Sequence, residues 1–310
     1  MIIRKTLLFL IFGMFTVGAI SQTVKKRPTP RTTAKKTVAK PVVPKTLLWE
    51  ISGNGLREPS YLYGTMHVLC AEDARVSENL KSSIKKAKRV YFEIDMDDMT
   101  EMMGGLKYMR MNDGVKLSDL LTKEEYARVE AAFKKSKTPM PMSMINRFKP
   151  ALVSSLLGEQ AMGCTQQKGM EQVIMKEAND NDKVIMGLET IQFQSSLFDS
   201  IPYEKQAKEL LSYIDSMDNY KGMTMEMVSA YKAQDLEKLE TLVSKSDPAM
   251  ADYMDLMLYG RNRKWVQQMP TLMSEGTLLF AVGAGHLPGE QGVINLLRKR
   301  GYVVSPVINK

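Results

Sequence analysis

The chain has few of the residues on which common catalytic motifs depend. Its 310 residues include only two histidines, two cysteines and two tryptophans. No His-Glu-x-x-His sequence occurs, which excludes the common zinc-protease helix. The glycine-rich stretch Gly283–Gly292 lacks the Gly-Lys-Ser/Thr ending of a phosphate loop, and its glycines miss the dinucleotide-binding spacing. The two histidines are therefore the first residues to explain.

Long apolar runs are also scarce, and the only one lies at the start of the chain. Two basic residues precede an apolar run from Leu7 to Ile20, with small residues at Ala19 and Ser21. A charged start, an apolar middle and a small-x-small end predict a secretory signal peptide over residues 1–21. Cleavage near Ser21 would make the protein periplasmic or secreted. An uncleaved N-terminal anchor is the alternative.

Acidic residues are missing from the next segment. Residues 22–45 hold eight lysines and arginines, four prolines and no acid, so they cannot bury enough apolar surface to fold. We predict a basic, Pro/Thr-rich disordered linker, a spacer that could also contact a membrane surface or cell-wall polymer. Without this segment and the two basic residues before it, 33 basic and 35 acidic residues remain. The sequence pI of about 9.2 is therefore no indication of nucleic-acid binding.

Residues 46–310 contain no further linker and are predicted to form one α/β domain, a mixed β-sheet flanked by helices. Its cysteines, Cys70 and Cys164, would be in an oxidising compartment after export, which favours a disulfide between them. Two free thiols are the first alternative. A thiol hydrolase that uses Cys70 beside His67 is the second.

Each histidine follows a glycine by three residues, just after an apolar strand. Gly64-Thr-Met-His67 comes after one predicted strand, and Gly283-Ala-Gly-His286 comes after another. A helix and a strand follow each motif, which predicts two related strand–Gly-x-x-His–helix–strand halves with a helical insertion between them. Because the carboxyl ends of parallel strands meet at one sheet edge, we expect His67 and His286 to share a site.

Two imidazoles need carboxylates to complete a catalytic metal site, which normally has three protein ligands and an open position. Glu93 ends the apolar strand Val90–Ile94, where an acid is costly unless it is paired or metal-bound. We therefore predict His67, Glu93 and His286 as metal ligands and catalytic residues, with Glu171 and Glu189 as weaker candidates. The divalent ion could be Mn, Co or Zn. A salt-bridged Glu93 and two structurally satisfied histidines are the alternative.

Taken together, the order of these motifs resembles the TraB/GumN family, which includes the Tiki proteases that cut the amino-terminal segment of Wnt proteins. The resemblance spans Leu48 to Val307. It is carried by Tyr63-Gly64-Thr65-Met66-His67, Phe92-Glu93-Ile94-Asp95, Gly169-Met170-Glu171, Gly187-Leu188-Glu189-Thr190, Arg261-Asn262 and Gly283-Ala284-Gly285-His286.

The resemblance implies a mixed sheet covered by helices, with His67, His286 and Glu93 as the metal and catalytic set. Arg261 and Asn262 fall on the family's Arg-Asn pair and would line the crevice. The family often has aspartate at the position of Glu171. The implied activity is metal-dependent hydrolysis of a peptide or protein substrate, with Glu93 as metal ligand or proton acceptor; no oligomeric state is implied.

A non-catalytic, exported metal- or heme-binding protein of related fold is the other reading. Methionine is abundant, with 25 residues, and thioethers favour Cu(I). Methionine also fills irregular cores and adaptable grooves. Its clusters are Met96, Met99, Met102 and Met103, then Met140, Met142 and Met144.

Overall fold

The computed structural model describes residues 44–136, 138, 140–159, 162–245 and 253–310. The predicted signal peptide and nearly all of the predicted linker lie outside the described residues. Within them the chain has the predicted mixed α/β architecture, with a six-stranded sheet and a two-stranded sheet surrounded by helices. Over these same ranges no helix is long and apolar enough to cross a membrane.

Short strands alternate with single helices in parts of the chain, and two runs of consecutive helices, within residues 99–159 and 191–273, lie between them. The strands are β1 (Leu48–Ser52), β2 (Ser60–Thr65), β3 (Leu69–Cys70), β4 (Arg89–Ile94), β5 (Gln167–Lys168), β6 (Val184–Glu189), β7 (Leu278–Gly283) and β8 (Val303–Val307). The α-helices are α1 (Glu78–Lys86), α2 (Met99–Gly105), α3 (Leu117–Leu120), α4 (Lys123–Ser136), α5 (Met142–Ile145), α6 (Pro150–Glu159), α7 (Met170–Asp180), α8 (Ile191–Leu197), α9 (Tyr203–Asp215), α10 (Met217–Lys232), α11 (Leu236–Lys245), α12 (Gly260–Met273) and α13 (Val293–Lys299).

The main sheet has the strand order β6-β4-β7-β2-β1-β8. The first four strands are parallel neighbours, whereas β1 runs antiparallel to both β2 and β8. A turn over Gly53–Gly55 joins β1 to β2, and all three of its residues have positive φ. This topology places the carboxyl ends of β2, β7, β4 and β6 along one edge, where the Gly-x-x-His loops begin.

The two faces of the sheet are covered by different helices. Alternate residues of β4 point to opposite faces, so Phe92 packs with α1 and α7 while Tyr91 packs with Trp265 of α12. Glu93 is two residues after Tyr91, so its side chain is on the same face of the sheet and is directed towards α12. The strand pattern thus decides which helix can supply a partner for this buried carboxylate.

The helical insertion predicted between the two motif regions has its own apolar cluster, built mainly from α4, α6 and α9. Its α4 begins with a capping box, in which the residue before the helix and a glutamate of its first turn exchange hydrogen bonds. Glu125 N–H donates to Thr122 Oγ1 at 3.2 Å, and Thr122 N–H donates to Glu125 Oε2 at 2.9 Å. Met140, Met142 and Met144 pack against this cluster. These three methionines therefore fill an apolar core.

A disulfide joins Cys70 to Cys164, with 5.7 Å between their Cα atoms. The predicted pairing is confirmed. Because the Cys70 sulfur is in this bond, the structure does not provide the thiol that a Cys70 nucleophile requires.

Candidate active site

The two Gly-x-x-His loops meet because β2 and β7 are parallel neighbours, with Thr65 paired to Gly283. The loops approach closely at Gly64, which has no side chain. A Cβ on Gly64 would lie 3.1 Å from both the Cα and the Cβ of Ala284. The two loops therefore lie side by side at one edge of the sheet.

Glu93 lies at the centre of the cluster and is 6% exposed. Its Oε1 accepts a hydrogen bond from the Gly283 backbone N–H at 2.8 Å and lies 3.7 Å from His286 Nε2. Its Oε2 accepts from Arg261 Nη2 at 2.6 Å and from Gln194 Nε2 at 3.3 Å. Both oxygens of this carboxylate are thus held in place by groups from β7, α8 and α12.

Arg261 supplies the positive charge of the site and is 1% exposed. Its Nε donates to Glu189 Oε2 at 2.9 Å, its Nη2 donates to Glu93, and its Nη1 lies 3.3 Å from His286 Nε2. One guanidinium therefore connects two buried carboxylates with an imidazole. A buried ion pair of this kind depends on having all its partners.

His286 is oriented by Asn262, the neighbour of Arg261 on α12. Asn262 Oδ1 lies 2.6 Å from His286 Nδ1, while its Nδ2 donates to the carbonyls of His286 and Gln291. An oxygen can only accept here, so the proton of His286 is on Nδ1. The lone pair of Nε2 consequently faces Arg261 and Glu93.

His67 is oriented in the same way by a different partner. Its Nδ1 lies 2.8 Å from Glu171 Oε1, and its side chain is 29% exposed, whereas those of Glu93 and His286 are 7% and 1% exposed. Glu171 lies in the first turn of α7, just after Gly169. Because Gly169 has no side chain, this turn can lie close to His67: a Cβ on Gly169 would be 2.5 Å from the His67 carbonyl oxygen. His67 is thus the most solvent-accessible of these three residues.

The charges in this cluster are set by burial and by neighbours. Burial alone would raise the pKa of Glu93, but Arg261 and the two histidines lower it to about 2. Burial lowers the pKa of His286 to about 3, since the nearby Glu93 charge only partly offsets it. Burial opposes a charge on His67 as well, but the Glu171 carboxylate raises its pKa to about 9. Near neutral pH, Glu93 is ionised, His286 is neutral and His67 is protonated.

The substitution Glu171→Gln is expected to lower the pKa of His67 from about 9, because the burial of the imidazole is then opposed only by the weaker effect of the Glu93 charge. The His67–Glu171 pair stabilises the fold fully below pH 6.5, and this contribution is lost as the pH rises through about 9. Imidazole NMR of the metal-free protein measures this directly, because the chain has only two histidines. A His67 that titrates alike in both proteins would contradict the assignment.

The structure differs in part from the expectations for Arg261 and Asn262. They were expected to line a crevice, but they are 1% and 0% exposed. Instead, Arg261 forms ion pairs with Glu93 and Glu189, and Asn262 forms a hydrogen bond with His286. Gln194, which no sequence motif indicates, bridges Glu93 and Glu189 through its Nε2 at 3.3 and 3.2 Å. In the sequence, Gln194 could have been found only by its position, because it is a polar residue on the buried side of α8, the helix that follows Glu189.

The donor atoms suit a divalent cation. A Cβ added to Gly283 would lie 3.2 Å from Glu93 Oε1, 3.5 Å from His286 Cδ2 and 3.9 Å from His67 Nε2, so these three residues border one small space. Each histidine has its Nδ1 held by an oxygen, as metal-binding histidines commonly do. Among the described residues, no three His, Cys, Asp or Glu already have the spacing of an assembled metal site. His67 Nε2, His286 Nε2 and Glu93 Oε1 are the atoms that would hold the ion.

Known proteins with similar sequences are metalloproteases. Metalloprotease TIKI1 of Danio rerio is 21% identical over 311 residues, covering 84% of this chain and 62% of that protein. Metalloprotease TIKI homologs of Nematostella vectensis and Amphimedon queenslandica are 21% and 23% identical over 80% and 83% of this chain and 65% and 61% of those proteins. The chain thus spans less than two thirds of the length of each relative. No solved structure matches the chain.

The family comparison covers the whole region in which the motifs lie. The model of the TraB/PrgY/gumN family matches residues 47–306, from the residue before β1 into β8, and includes both Gly-x-x-His loops. The chain therefore belongs to the TraB/PrgY/gumN family.

Proposed function

We propose that this chain is an exported metal-dependent peptidase whose active site consists of His67, Glu93 and His286. The observation that carries the proposal is the convergence of these three side chains on the space above Gly283. The similarity to TIKI metalloproteases supports the same class of chemistry. The predicted signal peptide would direct the protein out of the cytoplasm, and residues 22–45 would act as a tether.

In this proposal His67, His286 and Glu93 hold a divalent ion such as Mn, Co or Zn. When bound, such an ion makes water more acidic and polarises a peptide carbonyl. Because ligands must be deprotonated, binding at His67 Nε2 must release the proton that Glu171 favours. We therefore expect affinity for the ion to rise with pH between pH 6 and about 9, the raised pKa of His67.

The remaining residues orient and charge the site. Arg261 and the Gly283 N–H keep Glu93 ionised, and this carboxylate then either ligates the ion or accepts a proton from water. Asn262 holds His286 with its Nε2 lone pair towards Glu93. Arg261 competes with the ion for the Glu93 carboxylate, so the strength of the Arg261–Glu93 ion pair affects how tightly the site binds the ion.

A peptide substrate suits the surroundings. A surface cavity of about 430 Å³ lies between β6, α8 and α12 and is lined by Glu189, Phe193, Lys264 and Gln268, among others. It shares Glu189 with the cluster around Arg261. We propose that side chains of an extended peptide substrate occupy this cavity, which none of the three proposed ligands lines.

The metal part of the proposal predicts a stoichiometry. After dialysis and exposure to a mixture of divalent metals, the chain from Gln22 to Lys310 should retain near one equivalent. His67→Ala and His286→Ala should each lose it, because each removes one ligand. Elemental analysis of the three proteins is the measurement, with unfolding curves to show that the variants are folded.

The alternative is a metal- or heme-binding protein without catalysis. Retained metal without hydrolysis of any peptide, or a tightly bound chromophore, would favour it. Equal and negligible metal in all three proteins would contradict the shared metal site.

A further inference from the structure

Two segments of the chain lie side by side next to the active site, and we call them together the clamp: Met66–Ala71 and Cys164–Glu171. Within the clamp, β3 and β5 form a two-stranded antiparallel ladder. Ala71 N–H donates to the Gln166 carbonyl at 3.0 Å, and Met170 N–H donates to the Met66 carbonyl at 3.0 Å. The two segments come from parts of the chain that are about 100 residues apart.

The clamp carries one residue of the site on each segment. His67 is on the first and Glu171 on the second, and they meet at 2.8 Å between Nδ1 and Oε1. The approach is tight, since a Cβ at Gly169 would lie 2.5 Å from the His67 carbonyl oxygen and 2.9 Å from Glu171 Oε2. A small separation of the segments would therefore part the imidazole from its carboxylate.

Besides the apolar core in which Leu69 and Met170 are both buried, a short ladder and the disulfide hold the segments together. β3 and β5 have only two residues each, and a two-stranded ladder is at best marginally stable in water on its own. Cys70 lies on β3, three residues after His67, and Cys164 lies three residues before β5. The covalent bond thus joins the segments close to the pair that they must align.

We propose that Cys70 and Cys164 are positioning residues, whose disulfide holds Glu171 against His67 and so fixes the direction of His67 Nε2. Its effect on catalysis rests on the function proposed above, but the orientation of His67 does not. Reduction by a dithiol adds two electrons and two protons, breaks the S–S bond into two thiols and converts the dithiol into its own disulfide. In the reduced protein the clamp loosens, and the His67–Glu171 contact is lost for part of the time.

The test is an imidazole ¹⁵N NMR spectrum of the full, metal-free chain at one fixed pH, in oxidised and dithiothreitol-reduced forms and in the double variant Cys70→Ser/Cys164→Ser. His286 is the internal control, because Asn262 and not the clamp orients it. We expect reduction and double substitution to move or broaden the His67 signals towards those of Glu171→Gln, with His286 unchanged. Unchanged His67 signals, or equal changes in both histidines, would overturn the proposal.

A second measurement separates positioning from a general loss of stability. In a Glu171→Ala protein, which has no acceptor for His67 Nδ1 at this position, the double serine substitution should change the His67 signals no further. Val129→Ala, in the core of the helical insertion, serves as a matched destabilised control and should leave His67 unchanged. If Val129→Ala moved His67 as much as the serine variant does, the clamp would have only a structural role.

The affinity for Zn²⁺ links the clamp to the active site. Loss of an outer partner of a metal-binding histidine costs roughly 10–100-fold in affinity or activity, and we expect a loss in this range for the double serine protein. It is compared with the oxidised wild type in the absence of dithiothreitol, because a dithiol and free cysteine thiols bind zinc themselves. If His67 responds but neither protein binds zinc, the clamp stands and the proposed function fails. If both proteins bind zinc with equal affinity, the clamp does not position the site.

Discussion

Replacing Arg261 with methionine is expected to lower the free energy of unfolding at neutral pH by about 3–5 kcal/mol, the usual cost of removing one partner of a buried ion pair. The guanidinium contacts Glu93 and Glu189, whose side chains are 7% and 5% exposed. Methionine fills much of the same volume but leaves both carboxylates without their cation. Urea unfolding at pH 7 measures the difference.

The control for this prediction lies two residues further along α12. Arg263 pairs with Asp255, but these side chains are 45% and 70% exposed, so Arg263→Met should cost no more than about 1 kcal/mol. An Arg261→Met protein as stable as the Arg263→Met protein would contradict the central role of this ion pair.

The Arg261→Met defect should also depend on pH. In the wild type, Glu93 has a lowered pKa of about 2, so its stabilisation is present above pH 4.5 and is lost as the pH falls towards 2. Without Arg261 the pKa of Glu93 rises, and the pKa of Glu189, which burial already raises above its ordinary value, rises further, so that folding takes up protons. The difference between variant and wild type should therefore be larger at pH 8 than at pH 5.

The second large effect is expected from Gly283→Ala, which should abolish metal binding without unfolding the protein. Its added Cβ would lie within 4 Å of Glu93 Oε1, His286 Cδ2 and His67 Nε2, the three residues proposed to hold the ion. The φ of Gly283 is −50°, which alanine adopts without strain. A displacement of about 1 Å at a catalytic site can cost roughly 100-fold in rate, so we expect at least that loss of affinity and hydrolysis.

Gly285→Ala is the matched control, in the same loop and of the same chemistry. The nearest atom to its added Cβ is Val243 Cγ2 at 3.8 Å, an ordinary contact outside the site. It should bind metal and unfold as the wild type does. If both alanine variants bind metal normally, the space above Gly283 is not the binding site.

The sequence was sufficient to predict the elements that place the site. Three strands can be predicted from local composition alone, without tertiary information. They are the apolar strands before Gly64 and Gly283 and the strand that ends near Glu93. Parallel pairing then brings their carboxyl ends together, so the meeting of His67, His286 and Glu93 follows from general rules of α/β topology.

The partners of those residues were not predictable in the same way. Arg261 reaches Glu93 across 168 residues, and Gln194 reaches it across 101. No local pattern distinguishes a buried arginine that neutralises two carboxylates from one that lines a crevice. Which carboxylate each histidine contacts depends on how α7 and α12 pack on opposite faces of the sheet, and this packing is decided by tertiary contacts.

The most direct measurement is hydrolysis of fluorescently labelled casein by the chain from Gln22, with and without Mn, Co or Zn, beside Glu93→Gln. Glutamine keeps the size of the side chain but can neither ligate as an anion nor accept the proton of water, and loss of such a group typically costs about 10²–10⁴ in rate. We expect metal-dependent cleavage that a chelator stops and that falls by this factor in Glu93→Gln. Equal cleavage by both proteins, or cleavage that is indifferent to metal, would contradict the account.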